Sequence, residues 1–443
     1  MQRKSVVNRI PKRINNIPMP EEKTGPRRYG WHKSGRRNTK EHLAEVKAFL
    51  RTFIHYPNQT DDEILDFCLL PFVTLHWTHS NPIWLQVIGP PGSGKTAHVT
   101  LTKDYPKSIF VSSLSKATLI SGYRKEGDDD FDPSLLPLLN EKVLIVKDFT
   151  TILQSSKDER DAVIGQLRDI FDGHASRGLG NVGLMEYVSR FNMLLCVTPA
   201  IDQYHSIGQQ LGERFISRRE YAVNRSQITK AAIRNVISGK ESANFKIARN
   251  MVHGFIDKVP QANISDIVFS DAVLTAIERS CDFAARARSH VYRERDGRSI
   301  ASRPSPEVAT RLATQIVQCI AGYCLINGIE KVNNKAWQFG GARVIRDTLP
   351  SIVSWVLYNL FHHFPLLVDN KTGIKKFFVS TDVAKITRLG NYVVDQVLTD
   401  LYCHGILEKK SDCGATYEYY FNEEAYLTIT RYGLFEKSPE YLT

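Results

Sequence analysis

An eight-residue segment, residues 89–96, has the residue types and spacing of a phosphate-binding loop. It satisfies the pattern G-x-x-x-x-G-K-[ST] in full, and it follows an apolar segment, Trp84–Ile88, that is typical of a buried strand. Glycines at this spacing let backbone N–H groups turn inward and form a nest for an anion. The pattern therefore predicts a loop between a strand and a helix that binds the phosphates of a nucleotide.

The residues of this loop have distinct expected roles. Lys95 is placed to reach the β- and γ-phosphates, and the Thr96 hydroxyl is placed to ligate Mg²⁺. ATP and Mg²⁺ are the expected ligands. The candidate binding residues are Gly89, Pro90, Pro91, Gly92, Ser93, Gly94, Lys95 and Thr96.

The same chemistry requires an acidic residue at the end of a second buried strand, where it holds the metal shell and orients water. Val143–Val146 is the candidate strand, and Lys147 and Asp148 follow it. In one register Lys147 replaces the metal-shell acid and Asp148 is the catalytic base; in the other, Asp148 binds the metal and no glutamate follows. One acidic group is missing in both registers, so hydrolysis is predicted less directly than binding. Asp158 or Glu159 on the next helix would have to compensate.

Strands that alternate with helices must position these residues. Residues 108–112 and 193–197 are further apolar segments of strand length, and helical patterns lie between them. This alternation predicts an α/β fold with three layers and a parallel sheet. Beyond about Arg225 the strands end, and segments such as residues 306–324 are typical of amphipathic helices.

Three later segments add to the phosphate loop. A glycine-rich basic insert at residues 170–181 precedes the apolar strand that ends in Thr198 and Pro199, and the run Leu-Gly-Glu-Arg-Phe occupies residues 211–215. Over residues 82–225 this combination resembles the AAA+ ATPases, especially the branch with a hairpin before sensor 1, as in minichromosome-maintenance helicases. The resemblance implies a P-loop AAA+ domain followed by a helical lid.

The resemblance also implies roles for single residues. Thr198, at a position where the family often has Asn, would bond the γ-phosphate or the attacking water. Arg214 would be the arginine finger that acts on the nucleotide of a neighbouring subunit, which requires a ring, most simply a hexamer. Arg218 and Arg219 are its alternatives. A strand-ending threonine and a basic cluster at a helix end are the plainer interpretations.

Two further roles follow from the same resemblance. The insert would form a hairpin in the ring pore, where Arg177 and His174 would contact DNA, although a surface turn explains the same residues. Arg311, or Arg303 upstream of it, would reach the nucleotide from the lid as sensor 2.

The last hundred residues predict a winged-helix domain. A short helix from about residue 380, a turn at 388–390, a longer helix at 391–403 and a β-ribbon follow one another. A DNA-binding module of this kind inserts its second helix into the major groove. The candidate DNA-binding residues are Asn391, Tyr392 and Gln396 on the helix, with Lys409 and Lys410 on the ribbon. Protein contacts are the alternative use.

The excess positive charge is concentrated in one tail. The chain has 443 residues with a formal net charge of +11, and residues 1–40 carry 12 Lys and Arg against 2 Asp and Glu. Prolines interrupt the basic clusters, and Tyr29 and Trp31 lie among them, as aromatic side chains do where bases stack. We expect a flexible arm that neutralises phosphates, with a merely solvated arm as the alternative.

Several classes of protein are disfavoured by composition. No apolar run is long enough to span a bilayer, the N-terminus lacks a secretory pattern, and the 7 cysteines are scattered without a CxxC pair. A cytoplasmic location without membrane association is expected. The expected domains are a basic tail at 1–40, a helical segment at 41–80, the ATPase core at 81–225, a helical lid at 226–345 and a winged-helix domain at 346–443.

Taken together, these patterns predict an ATPase that forms a ring on DNA: a replicative helicase, initiator or loader of a bacterium, phage or mobile element. A regulatory ATPase that assembles with nucleotide but hydrolyses it slowly, for example in transposition or partner selection, is the first alternative. A signalling or host-defence NTPase whose tail and winged helix bind protein is the second.

Overall fold

A computed structural model describes residues 33–54, 63–78, 80–121, 123, 132–179, 183–204, 214–220, 225–365, 377–410 and 417–436. The N-terminal half contains α1 Lys33–Leu50, α2 Glu63–Val73, β1 Trp84–Ile88, α3 Lys95–Thr100, β2 Ser108–Val111, α4 Lys116–Leu119, α5 Leu136–Leu139, β3 Val143–Val146, α6 Thr150–Leu153, α7 Lys157–Phe171, β4 His174–Leu179, β5 Gly183–Val188, β6 Asn192–Val197 and β7 Phe215–Arg219.

The C-terminal half is mainly helical. It contains α8 Arg225–Ser238, α9 Glu241–Lys258, α10 Asp271–Arg288, α11 Thr310–Ile326, α12 Asn334–Ala336, a π-helical turn Trp337–Ala342, α13 Arg343–Asp347, α14 Ser351–His363, α15 Ser380–Thr387, α16 Asn391–Cys403, β8 Leu407–Lys410, β9 Glu418–Phe421 and α17 Glu423–Tyr432.

A parallel sheet of five strands, in the order β2-β3-β6-β1-β7, forms the centre of a mixed α/β fold. Alternate side chains of each strand point to opposite faces. Leu144 and Leu195 pack on one face with Leu167 of α7, whereas Ile145 and Leu194 join the core on the other face with α2. Helices therefore cover both faces, which explains why the strands are almost continuously apolar.

The glycine-rich insert forms an antiparallel hairpin. Strands β4 and β5 pair from His174 opposite Val188 to Leu179 opposite Gly183, directly before β6. Residues 180–182 at its tip lie outside the described part of the chain.

Helix α11 crosses the amino-terminal edge of the sheet. The Gln315 side-chain amide donates to the Arg214 carbonyl at 2.7 Å, and the Gln318 amide donates to the Asn81 carbonyl at 2.7 Å. At the opposite edge, Asp347 of α13 accepts a hydrogen bond from the backbone of Arg219, the last residue of β7, at 3.0 Å. The helical part therefore reaches both ends of the strands.

The C-terminal elements occur in the predicted order of helix, turn, helix and ribbon. Arg388 has φ 56°, a left-handed conformation that ends α15 before α16 begins. Strands β8 and β9 pair antiparallel, and Phe378 adds an isolated bridge to Tyr419.

Part of the expected basic tail is helical. Residues 33–40, which were expected to belong to this tail, form the first part of α1, and residues 1–32 lie outside the described residues.

None of the described helices is sufficiently long and apolar to cross a membrane.

Candidate functional site

The predicted phosphate loop connects β1 to α3 at the carboxyl edge of the sheet. Gly92 and Gly94 have φ values of 78° and 83°, a conformation that residues with a Cβ adopt at a cost. The first backbone hydrogen bond of α3 runs from His98 N to Gly94 O, at 3.3 Å. The backbone N–H groups of the first turn, before His98, therefore have no acceptor within the helix. Backbone amides at glycine turns of this kind are the groups that bind an anion in a phosphate loop.

Gly89 is required by close packing. A Cβ at this position would lie 2.9 Å from the Glu220 carbonyl oxygen and 2.9 Å from Ser93 Oγ. The Glu220 amide donates to the Ile88 carbonyl at 2.7 Å, which holds the end of β7 against the start of the loop. The first glycine of the motif therefore lets two backbones approach.

Lys95 is buried, and its ammonium group lies within the loop. Nζ donates to the Gly89 carbonyl at 2.5 Å and to the Pro90 carbonyl at 2.9 Å. Burial lowers the pKa of this lysine, while the Asp148 carboxylate acts in the opposite direction. A positive charge held in a desolvated loop favours binding of an anion.

Thr150, which the sequence analysis did not single out, links Asp148 to Thr198 at the carboxyl edge of the sheet. The Thr150 hydroxyl accepts from the Thr198 amide at 3.1 Å and donates to the Thr198 hydroxyl at 3.3 Å. The Asp148 carboxylate accepts from the Thr150 amide at 2.9 Å. Asp148, Thr150 and Thr198 are thus one hydrogen-bonded group at the ends of β3 and β6. A hydroxyl two residues after a strand-end acid was the available sequence signal.

The second acidic residue that this chemistry usually requires does not follow β3 together with Asp148. Lys147 is exposed at the end of β3. Asp158 and Glu159 are exposed in the first turn of α7, and no hydrogen bond or ion pair joins either side chain to Asp148 within the described residues. Asp148 is therefore the carboxylate that the end of β3 supplies.

The residues present fit a nucleoside triphosphate with a magnesium ion. Ser93 Oγ is buried and has no hydrogen-bond partner among the described residues, as expected for a group that faces an absent polar ligand. The Thr96 hydroxyl and the Asp148 carboxylate are exposed oxygen donors, the type that Mg²⁺ prefers.

A buried ionic network supports this edge of the sheet. The Arg219 guanidinium binds both carboxylate oxygens of Asp202, at 2.9 and 2.6 Å, and also the Asp347 carbonyl at 3.0 Å. Arg218 is 1% exposed and pairs with Glu220 at 2.7 Å. Both alternative finger arginines are therefore engaged inside the chain. The partners of Arg219, Asp202 and Asp347, come from other segments of the chain, so its sequence neighbourhood did not reveal them.

Arg214 and Arg311 lie at the opposite edge from the phosphate loop. Arg214 precedes the first residue of β7, which pairs with the first residue of β1, and five residues of strand rise about 13 Å. The Arg214 guanidinium is buried, pairs with Asp172 at 2.9 Å and lies over the Phe171 ring. Burial lowers the pKa of Arg214, and nearby Arg311 lowers it further. The structure does not bring Arg311 to the phosphate loop of its own chain.

The hairpin candidates are on β4. His174 is exposed at the start of the strand, and Arg177 is paired in register with Met185 of β5. The hairpin lies between α7 and β6 in the chain.

The C-terminal candidates have unequal surroundings. Asn391 is exposed at the start of α16, whereas Tyr392 and Gln396 donate hydrogen bonds to the Gly297 carbonyl at 3.1 and 3.0 Å. Lys409 lies over the rings of Tyr402 and Tyr417, and Lys410 lies over Phe377. The loop at 411–416 is outside the described residues, as are residues 211–213 of the Leu-Gly-Glu-Arg-Phe run.

No protein-family model and no curated protein matches this chain. A functional assignment therefore depends on the residues and geometry described above.

Proposed function

We propose that this chain is an ATP-binding P-loop ATPase of the AAA+ type that assembles as a ring and acts on DNA. The observation that carries the proposal is the phosphate loop at residues 89–96: two glycines with positive φ, a buried Lys95 and an unpaired Ser93 hydroxyl converge at the carboxyl edge of a parallel sheet. This edge is where open α/β sheets bind ligands.

The loop residues would bind and orient the triphosphate. The inward amides and Lys95 neutralise phosphate charge, and Thr96 with Asp148 would hold Mg²⁺, which supplies charge neutralisation at the reacting phosphate when bound. Asp148 and Thr198 are the candidates to position the attacking water. Thr150 fixes their separation, because its amide bonds one and its hydroxyl bonds the other.

Ring assembly is supported by the position of Arg214. Since Arg214 lies at the edge opposite its own phosphate loop, it can serve as a finger only for the nucleotide of a neighbouring subunit, and it must exchange Asp172 for a phosphate to do so. DNA contact is supported by the β4–β5 hairpin, the basic tail and the helix–turn–helix–ribbon order of the C-terminal elements.

Lys95→Ala tests the proposal. We expect loss of binding of a fluorescent ATP analogue, by at least about a hundredfold, because a charged ligand of the β- and γ-phosphates is removed. Lys107→Ala is the matched control, since Lys107 is exposed and precedes β2 at the opposite edge of the sheet from the loop; it should bind normally. Unaltered binding by Lys95→Ala, with wild-type thermal stability, would refute the nucleotide site.

A nucleotide-gated assembly switch is the second candidate. It is favoured by the single carboxylate at the end of β3 and by Lys147 beside it. ATP turnover with single-stranded DNA, with duplex DNA and without DNA separates the two: stimulated turnover with strand displacement on a forked duplex supports the helicase, and slow turnover without unwinding supports the switch.

A further inference from the structure

Residues 291–301 form a short hairpin in the segment between α10 and α11. Arg293 and Ile300 form an isolated antiparallel bridge, and the Glu294 amide donates to the Ser299 carbonyl at 2.8 Å. The Asp296 carboxylate accepts from the Arg298 and Ser299 amides at 2.8 and 2.9 Å and from the Ser299 hydroxyl at 2.6 Å. The tip is thus fixed by its own hydrogen bonds.

This hairpin is fastened to the outward face of α16. The Gly297 carbonyl accepts the hydrogen bonds from Tyr392 and Gln396, and the Arg293 guanidinium pairs with Asp400 and donates to the Gln396 carbonyl at 3.3 Å. Gly297 has φ 67°, and a Cβ there would lie 2.7 Å from the Tyr392 hydroxyl. Only glycine fits this contact without displacement.

The fastening changes which surface can meet DNA. A recognition helix reads bases with the free polar edges of its N-terminal residues. In α16 two of the three candidates, Tyr392 and Gln396, already donate to Gly297. The helix face is therefore poorly suited to base recognition while the hairpin is seated on it.

The hairpin itself presents cations. Arg295 and Arg298 flank the tip on either side, and both side chains are exposed. No ion pair joins either guanidinium to another residue in the part of the chain that the structure describes, although the exposed carboxylates of Glu294 and Asp296 lie on the same turn. A contact with phosphate here therefore depends on the directed N–H groups of the two guanidiniums and not on a net positive charge.

We infer that the 291–301 hairpin, rather than α16, is the nucleic-acid contact of this region, and that Arg295 and Arg298 bind the phosphodiester backbone without reading base sequence. The inference rests on the proposed function only in that the chain acts on DNA. Helix α16 then serves as the rigid support of the hairpin.

The double variant Arg295→Ala/Arg298→Ala tests this inference in the full chain. Binding is measured by fluorescence anisotropy with labelled duplex and single-stranded 30-mers of unrelated sequences. We expect about a tenfold loss of affinity that is equal across sequences. For the duplex, the slope of log K against the logarithm of the salt concentration should decrease in magnitude by about two. Lys103→Ala/Lys107→Ala removes two exposed cations before β2 and is the matched control; it should bind as wild type. Unchanged affinity in the arginine variant would overturn the inference.

Gly297→Ala provides a second, independent test. It displaces the hairpin from Tyr392, so we expect weaker DNA binding through loss of the fixed arginine positions. Stronger binding would mean that the hairpin covers a DNA-reading helix, and would refute the inference. Binding of the ATP analogue is measured in parallel. A wild-type chain that binds ATP but neither 30-mer would refute the DNA part of the proposed function, whereas DNA binding that ignores the arginines refutes only the hairpin assignment.

Discussion

At the scale of single residues, buried charges stand out where β7 meets α2 and α13. Glu63 is 4% exposed, and its Oε2 has no hydrogen-bond partner among the described residues. Burial raises the pKa of Glu63 to about 8, although the nearby Arg218 lowers it. Burial lowers the pKa of Arg218 itself, but the carboxylates of Glu220 and Asp347 outweigh this effect and raise it. The backbone of Glu220 also abuts Gly89, so this charged group lies next to the start of the phosphate loop.

The Glu63 carboxyl group makes stability depend on pH. The folded chain retains this proton up to about pH 8, whereas the unfolded chain releases it near 4.5. The folded state therefore binds more protons over this interval, and its free energy of unfolding falls as the pH rises through it. Glu63→Gln should remove that fall and exceed wild-type stability at pH 9 by on the order of 1–3 kcal/mol.

Urea unfolding at pH 5, 7 and 9 measures this effect. Glu186→Gln, on the exposed face of the β4–β5 hairpin, is the control and should follow the wild-type profile. A Glu63→Gln profile parallel to that of wild type would show that Glu63 is already ionised at neutral pH.

At the scale of elements, glycine positions distinguish the phosphate loop from an ordinary turn. Gly94 has φ 83° with no atom near the place of a Cβ, so a side chain there is strained by the backbone and not by a clash. Gly165 lies within α7, also with no atom nearby, and its φ is not positive. The same substitution should therefore have opposite effects at the two positions.

Gly94→Ala should destabilise the chain by about 1–2 kcal/mol and weaken binding of the ATP analogue, because the loop amides must turn away from the anion. Gly165→Ala should stabilise it by about 0.5–1 kcal/mol with unchanged binding. Thermal unfolding and analogue titration measure both. Equal effects on binding would show that the loop conformation does not matter for the ligand.

At the scale of the whole molecule, the residues proposed for ATP binding and turnover lie at two opposite edges of the sheet. Residues 89–96, Asp148 and Thr198 lie at the carboxyl edge, whereas Arg214 lies at the amino-terminal edge with Asp172 and Arg311. A complete site in the proposed ring therefore needs two subunits. This separation leads to a prediction about mixtures of subunits.

Arg214→Ala subunits mixed into wild-type protein should lower ATP turnover more steeply than their fraction, because each one removes the finger from a wild-type neighbour. They should still bind the ATP analogue through their own loops. Asp172→Ala, which breaks the ion pair but keeps the arginine, is the control: it should share any loss of stability while sparing turnover. A decrease proportional to the mutant fraction would show that Arg214 has only a structural role.

Much of the site could be predicted because its parts are local. Residues 89–96 follow an apolar strand directly, and Asp148 and Thr198 each end another. In a parallel sheet all carboxyl ends lie at one edge, so these residues had to converge once the strands were recognised. Thr150 was missed because its role depends on the packing of β3 beside β6.

Sequence alone predicted the loop at residues 89–96, the parallel α/β sheet around it and the order of the later helices, since glycine spacing and apolar periodicity are properties of neighbouring residues. Tertiary structure alone decided that Arg219 is held by Asp202 and Asp347, and that Arg311 lies away from its own loop. It also decided that Tyr392 and Gln396 bond the 291–301 hairpin. These contacts join residues separated by up to about 130 positions, and no local pattern encodes which distant surfaces meet when the core closes.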